Sequence, residues 1–246
     1  MKNSRLTGTV LFILGMVWNF SGHAAINVDR TRIIMDSNQK SLSVVLTNEN
    51  QKIPYLAQSW VEDDKGKRTD LLLALPPLQR IDGGKKSQVR ILQAPGGGTK
   101  MLPQDRESLF WFNVREVPPE PSTDENVLQL AVQSQLKLFY RPASIRKADS
   151  DTPETRLVVI RDDGHAVLKN PTPYYITVAW LGADRKSHLR GFDEPVMVAP
   201  FSSLSLKADL PAALTTLSVG YLNDYGGMKV NNYHCVAQTC SFRKRG

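Results

Sequence analysis

Between Asn126 and Pro142 the chain reads Asn-Val-Leu-Gln-Leu-Ala-Val-Gln-Ser-Gln-Leu-Lys-Leu-Phe-Tyr-Arg-Pro. No other stretch restricts the fold so strongly. From Val127 to Leu136 there is no charge, no glycine and no proline. Leu128, Leu130 and Val132 alternate with Gln129, Ala131 and Gln133, the period of two that a β-strand imposes. The run is long for a strand, since about 5–6 residues is usual. At a sheet edge such a strand offers unpaired backbone groups and an apolar row to any other chain, and proteins normally blunt such edges with Lys, Pro or bulges. Either the strand is covered within its own domain, or its adhesiveness is its use.

The remaining pattern is all-β. Helical periodicity is scarce, and short runs rich in Val, Ile, Leu, Tyr and Trp recur between Gly, Pro, Asn and Asp clusters. Strands are expected at Ser41–Thr47, Tyr55–Val61, Ser87–Leu92 and Leu109–Arg115, followed by the opening segment as partner of the last. A short polar connection with three prolines, Pro118 to Glu125, joins the two. Beyond the charged, turn-rich stretch around Arg146–Pro153, strands resume at Arg156–Ile160, His165–Leu168, Tyr174–Trp180, Glu194–Val198, Leu204–Leu206 and Leu217–Leu222. Two all-β domains result, residues 25–145 and 153–246, with 146–152 as linker. Their sizes, about 120 and 95 residues, are ordinary, and repeated short strands with such turns indicate sandwiches.

Residues 1–24 have the three-part pattern of a secretory signal peptide: a basic start at Lys2 and Arg5, an apolar run from Val10 to Val17, and small residues before Ala25. The run is too short to span a bilayer, and no other segment reads as a membrane helix. Its removal leaves 29 basic against 24 acidic side chains, a net +5. The one tight cluster, Arg243-Lys-Arg245, is ordinarily a solvated end, and neither zinc-finger spacing nor a stacking motif indicates nucleic acid. Cys235 and Cys240 are the only cysteines. In an exported chain that spacing suggests a disulfide clipping a terminal hairpin, worth about 2 kcal/mol. A two-ligand metal site is the weaker alternative, because no histidine spacing completes it. No nucleophile elbow, His-Glu-x-x-His or phosphate loop is present, and Gly96-Gly-Gly98 reads as a flexible turn. The reading calls for no enzyme, cofactor or metal.

An ordered set of blocks then carries a resemblance through nearly the whole mature chain. It comprises Val28-Asp-Arg-Thr-Arg32, Pro54-Tyr-Leu-Ala-Gln58, Leu75-Pro-Pro-Leu-Gln-Arg80, Leu102 to Pro119, Lys137-Leu-Phe-Tyr-Arg-Pro142, Asn170-Pro-Thr-Pro-Tyr-Tyr175 and Tyr221-Leu-Asn-Asp-Tyr-Gly-Gly227. The chain resembles the periplasmic chaperones of the chaperone–usher pilus pathway, of the PapD type. The short connection after Val117 and the absence of cysteine from the first domain are similar to the short-loop branch. The resemblance implies two immunoglobulin-like sandwiches set at an angle, with a cleft between them. It also implies partners: pilus subunits, pilins and adhesin alike, and the outer-membrane usher. No nucleic acid and no membrane insertion are expected. The periplasm is the implied location.

By that resemblance Leu128, Leu130 and Val132 are the donor row lent to an incomplete subunit; the alternation alone equally allows them to fill the first domain's core. Arg32 and Lys137 match a pair that anchors the subunit's terminal carboxylate, although strict alternation sets Lys137 opposite the donor row unless a bulge intervenes. Glu107, Arg141 and Asp224 match a charge trio bridging the domains. Without a subunit, the same edge is open to pairing with a second copy or to masking by a loop. The rival reading is a pilus subunit or adhesin, likewise exported and immunoglobulin-like. Against it, the chain ends Ser-Phe-Arg-Lys-Arg-Gly rather than in an apolar strand.

Overall fold

The computed structural model describes residues 25–120, 129–148 and 150–243. In the first half, alternating side chains build nine strands: β1 (Ile26–Val28), β2 (Arg32–Asp36), β3 (Ser41–Asn48), β4 (Tyr55–Asp63), β5 (Leu72–Leu75), β6 (Leu78–Ile81), β7 (Lys86–Gln93), β8 (Ser108–Val117) and β9 (Gln133–Arg141). They form two sheets, ordered β1-β3-β7-β5 and β2-β9-β8-β4-β6. Val44 and Leu46 of β3 and Val89 and Ile91 of β7 face Ile33, Met35, Phe110, Phe112 and Leu138 across one buried cluster. Burying each such side chain contributes roughly 1.5–3 kcal/mol. The sheets are also tied directly, for the buried Glu116 carboxylate of β8 accepts the Ile26 N–H at 2.8 Å.

The second half contains β10 (Val158–Asp162), β11 (His165–Asn170), β12 (Ile176–Gly182), β13 (Val196–Val198), β14 (Ser202–Asp209), β15 (Thr216–Leu222), β16 (Met228–Val236) and β17 (Thr239–Phe242). These run as one ladder, β13-β12-β15-β16-β17-β10-β11-β14. Val178 and Val198 from one end meet Leu168 and Ala208 from the other in a single buried cluster, so the ladder folds over itself as a sandwich. Both halves are therefore all-β, and the fold is that of a two-domain sandwich protein. Among the described residues no helix is long and apolar enough to cross a membrane.

Several strand expectations are corrected. Arg156 ends a short 3-10 turn, Pro153–Arg156, and the strand begins at Val158. Tyr174 and Tyr175 precede β12, and Glu194 precedes β13. The cause near Tyr174 is Asn170, which is fully buried. Its amide donates to the Tyr174 and Ala199 carbonyls at 2.7 and 2.9 Å, and its Oδ1 accepts from the Thr172 N–H and hydroxyl. These bonds hold Asn170–Tyr175 as a turn, not a strand, because a buried amide is most stable when every group finds a partner. The largest correction concerns the opening segment. The pattern predicts one long strand across Asn126–Pro142, yet residues 129–132 are not regular strand and β9 runs from Gln133 to Arg141, with 126–128 outside the described residues.

Candidate functional site: a free strand edge ending at two cations

β9 has β8 on one side along all but its last residue, from Arg115↔Gln133 to Ser108↔Tyr140. On the other side it has the parallel strand β2, which covers only Lys137 to Arg141. Gln133 to Leu136 thus present an edge with no neighbouring strand among the described residues. The Glu116 N–H donates to the Val132 carbonyl at 3.0 Å. By the alternation of an antiparallel ladder, the backbone groups of Gln133 and Gln135 point away from β8, toward that open edge.

Just upstream, Leu130 is 71% exposed and Val132 43% exposed. Both precede the regular strand, and Leu128 lies outside the described residues. By parity they share a face with Leu136, Leu138 and Tyr140, which are buried. The row that fills the sandwich core therefore continues beyond the sandwich as exposed side chains. Within the described residues, Leu130 and Val132 do not fill the first domain's core. No bulge interrupts the β8–β9 register between Gln133 and Tyr140. Lys137 consequently stands on the opposite face from this row, and simple alternation holds.

On that opposite face Arg32 and Lys137 are direct neighbours in the parallel β2–β9 pair. Both are half-buried. The Arg32 guanidinium reaches the Leu222 carbonyl of the second domain at 3.5 Å, while its Nε is buried without a partner. Lys137 has no hydrogen-bond or ion-pair partner among the described residues. Burial pushes the Lys137 ammonium below the usual lysine value, and the Arg32 charge adds to the shift. Burial likewise lowers Arg32, against the pull of Asp224, Glu107 and Glu154. Two desolvated like charges side by side at the end of an open edge are an electrostatic arrangement that an anion would relieve.

Arg32 and Ile34 line a cleft of about 750 Å³, whose other wall is formed by Tyr221, Asn223, Asp224, Tyr225 and Lys229 of the second domain. The trio Glu107, Arg141 and Asp224 comes together behind it. Arg141 donates to Glu107 Oε1 from Nε and Nη2 at 2.8 and 2.7 Å, and to Asp224 Oδ2 from Nη1 at 3.0 Å. Glu107 also accepts the Tyr175 N–H at 2.8 Å, and its own N–H donates to the Pro173 carbonyl at 2.9 Å. The Asn170-locked turn is therefore what offers the second domain's backbone to Glu107. Burial pushes the Glu107 carboxyl up despite the Arg141 charge. Burial also opposes charge on Asp224, but bonds from Arg141 and the nearby Lys147 hold its carboxyl below the ordinary range.

Sequence reasoning missed part of this network. Lys147 donates to the buried Glu154 at 2.9 Å, lies 3.6 Å from Asp224, and sits with Arg141 over the Tyr174 ring. Phe139 packs on Tyr175 with centroids 5.4 Å apart. Lys147 falls in a stretch read as a linker, and nothing in local spacing marks an ion pair across it. Cys235 and Cys240 are disulfide-bonded across the β16–β17 hairpin. Gly97 caps the 3-10 turn Gly98–Met101 at φ 72°, so the glycine run is a built turn.

Two packed β-sandwiches, an open strand edge and a cationic cleft between the domains define a class of two-domain proteins built to pair an edge strand with another chain. The comparisons agree. Residues 25–146 match the family described as "Pili and flagellar-assembly chaperone, PapD N-terminal domain", and residues 153–233 match "Pili assembly chaperone PapD, C-terminal domain". The chain is similar to the fimbrial chaperone YbgP of Escherichia coli strain K12, 43% identical over 88% of this chain and 89% of that one. It is also similar to the chaperone protein PapD of Escherichia coli, 42% identical over 90% of this chain and 91% of that one. Among solved structures, the Salmonella enterica SafA pilin in complex with the SafB chaperone aligns with TM-score 0.72 and 25% identity, over 87% of this chain and 98% of that one. The chain belongs to the PapD family of pilus-assembly chaperones. These findings favour the chaperone over the pilus-subunit reading.

Proposed function

We propose that this chain, in the periplasm, holds pilus subunits by strand addition along the open edge of β9 and passes them to the outer-membrane usher. The observation that carries the reading is the junction of the uncovered edge, Gln133 to Leu136, with the Arg32–Lys137 pair. An incoming chain end whose carboxylate sits on that pair and extends along the edge must run parallel to β9. Leu130 and Val132, and Leu128 ahead of them, would then lie in the subunit's own core. Each added main-chain bond nets roughly 0.5–1.5 kcal/mol, and each buried aliphatic side chain roughly 1.5–3 kcal/mol. The cation pair fixes the register, which matters because a one-residue slip reverses every side chain. Residues 25–145 would hold the donor edge and residues 153–246 the opposite wall of the cleft.

The test is Leu130→Glu, which places an unpaired carboxylate on the inserted row at a position that is exposed in the free chain. The thermal midpoint of the variant alone should match wild type. Recovery of a co-expressed pilus subunit from the periplasm should fall at least about tenfold. Undiminished recovery would mean that this row is not the one inserted.

A further inference from the structure

The loop joining β15 to β16 carries the most exposed aromatic residue at the cleft. Tyr225 is 93% exposed, lines the cleft with Arg32, and its hydroxyl has no partner among the described residues. Such a side chain at a mobile loop tip would invite no comment. This loop is held by bonds within its own backbone and by contacts to the first domain. The Asn223 side-chain oxygen accepts the Tyr225 and Gly227 N–H groups at 3.1 and 2.9 Å. The Asn223 N–H donates to the Gly227 carbonyl at 3.0 Å, and the Gly226 N–H to the Asn223 carbonyl at 2.9 Å. Asp224 is bonded to Arg141, and the Leu222 carbonyl accepts from Arg32. Gly226, at φ 81°, lies so close to the first domain that a Cβ there would come within 2.1 Å of the Thr31 hydroxyl oxygen. The loop is thus clamped against the strand that bears Arg32, with one aromatic ring left in solvent.

A rigid loop presenting an unpaired tyrosine has the properties of a binding anchor. Little conformational freedom remains to be lost on contact, and tyrosine offers a large amphipathic surface. We infer that Tyr225 is a second contact for the subunit's chain end, packing its ring on an apolar residue beside the carboxylate held by Arg32 and Lys137. The inference rests on the function proposed above and adds the partner's chemistry: an extended terminus carrying both a carboxylate and a neighbouring apolar side chain on the cleft side. Continuity supports this occupant, because Arg32 and Tyr225 line one cleft and are joined through Leu222 and Thr31. The second domain then grips the subunit directly, as well as setting the cleft.

The experiment is chaperone exchange. Complexes of the co-purified pilus subunit with full-length wild type, Tyr225→Ala, Tyr225→Phe or Arg32→Ala are mixed with excess fluorescent wild-type chain, and subunit release is timed. Release from Tyr225→Ala should be about tenfold faster than from wild type. Tyr225→Phe should stay within about twofold, because the ring is kept. The inference is overturned if Tyr225→Ala releases at the wild-type rate while Arg32→Ala releases faster or captures nothing. Equal acceleration by Phe and Ala would also overturn it, since the ring would then be irrelevant. Wild-type behaviour of Arg32→Ala would overturn both this inference and the anchoring role beneath it.

Discussion

Arg32→Ala and Lys137→Ala are each expected to weaken subunit capture roughly ten- to hundredfold while leaving the chaperone folded. A charge-assisted bond to a carboxylate is worth about 1.5–3 kcal/mol, and every 1.4 kcal/mol is tenfold. Lys137 has no partner in the free chain, and Arg32 offers only a long contact to the Leu222 carbonyl. Removing either therefore relieves desolvation and mutual repulsion. The pH dependence has a definite sign. The folded pKa of Lys137 is depressed, so between that value and the ordinary lysine value the unfolded chain holds more protons, and stability rises with pH. Lys137→Ala should lose that alkaline rise. Subunit pulldown together with thermal melts across pH 7 to 11 measures both effects. Unchanged pulldown in both variants would remove the anchoring role.

Arg141→Ala is expected to cost about 3–5 kcal/mol, the usual penalty for leaving a buried charge without its partner. Glu107, buried and bonded twice to Arg141, is the charge left behind. The acid profile should change as well. Asp224 has a depressed folded pKa, so it contributes stability above the ordinary aspartate value that is lost as pH falls through its folded value. Glu107, raised by burial, works in the opposite sense and favours the fold as pH drops through its elevated value. Arg141→Ala weakens the first effect and, by removing the charge that pulls Glu107 down, strengthens the second, so the variant should lose less stability than wild type as pH falls from neutral to about 3. The double variant Glu107→Leu with Arg141→Leu should recover much of the loss, because no buried charge remains unpaired. Chemical denaturation at several pH values reports both. A loss below about 1 kcal/mol in Arg141→Ala would show that the network is not a stabilising lock.

Much of this architecture was legible in the chain itself, for a definable reason. Strands such as β3, β4, β7 and β8 bury one face, so composition alternates and marks them. The short strands β1, β2, β5 and β6 lie in edge positions or are too brief to show a period, and they were not anticipated. Of these, β2 bears on the site, because its first residue, Arg32, pairs with Lys137 and marks where the open edge of β9 ends. Alternation continues through Leu130 and Val132, ahead of the start of β9 at Gln133, where no sheet yet requires it. Alternation reports which face a side chain takes, not whether a neighbouring strand exists. Lys147, Glu154 and the Tyr225 loop were invisible for a different cause. Lys147 and Glu154 stand only seven residues apart, but in an irregular stretch whose composition pairs nothing; the loop's contacts to Arg141, Arg32 and Thr31 join residues distant in sequence that only the folded chain brings together.

The most direct measurement is amide hydrogen exchange along β9 in the free chaperone and in its complex with a pilus subunit. Protection at Gln133 and Gln135, whose amides face the open edge, should rise by more than about tenfold on complex formation. Ser134 and Leu136, already turned toward β8, should change little. A stoichiometric complex in which Gln133 and Gln135 exchange as fast as in the free chain would contradict strand addition at this edge.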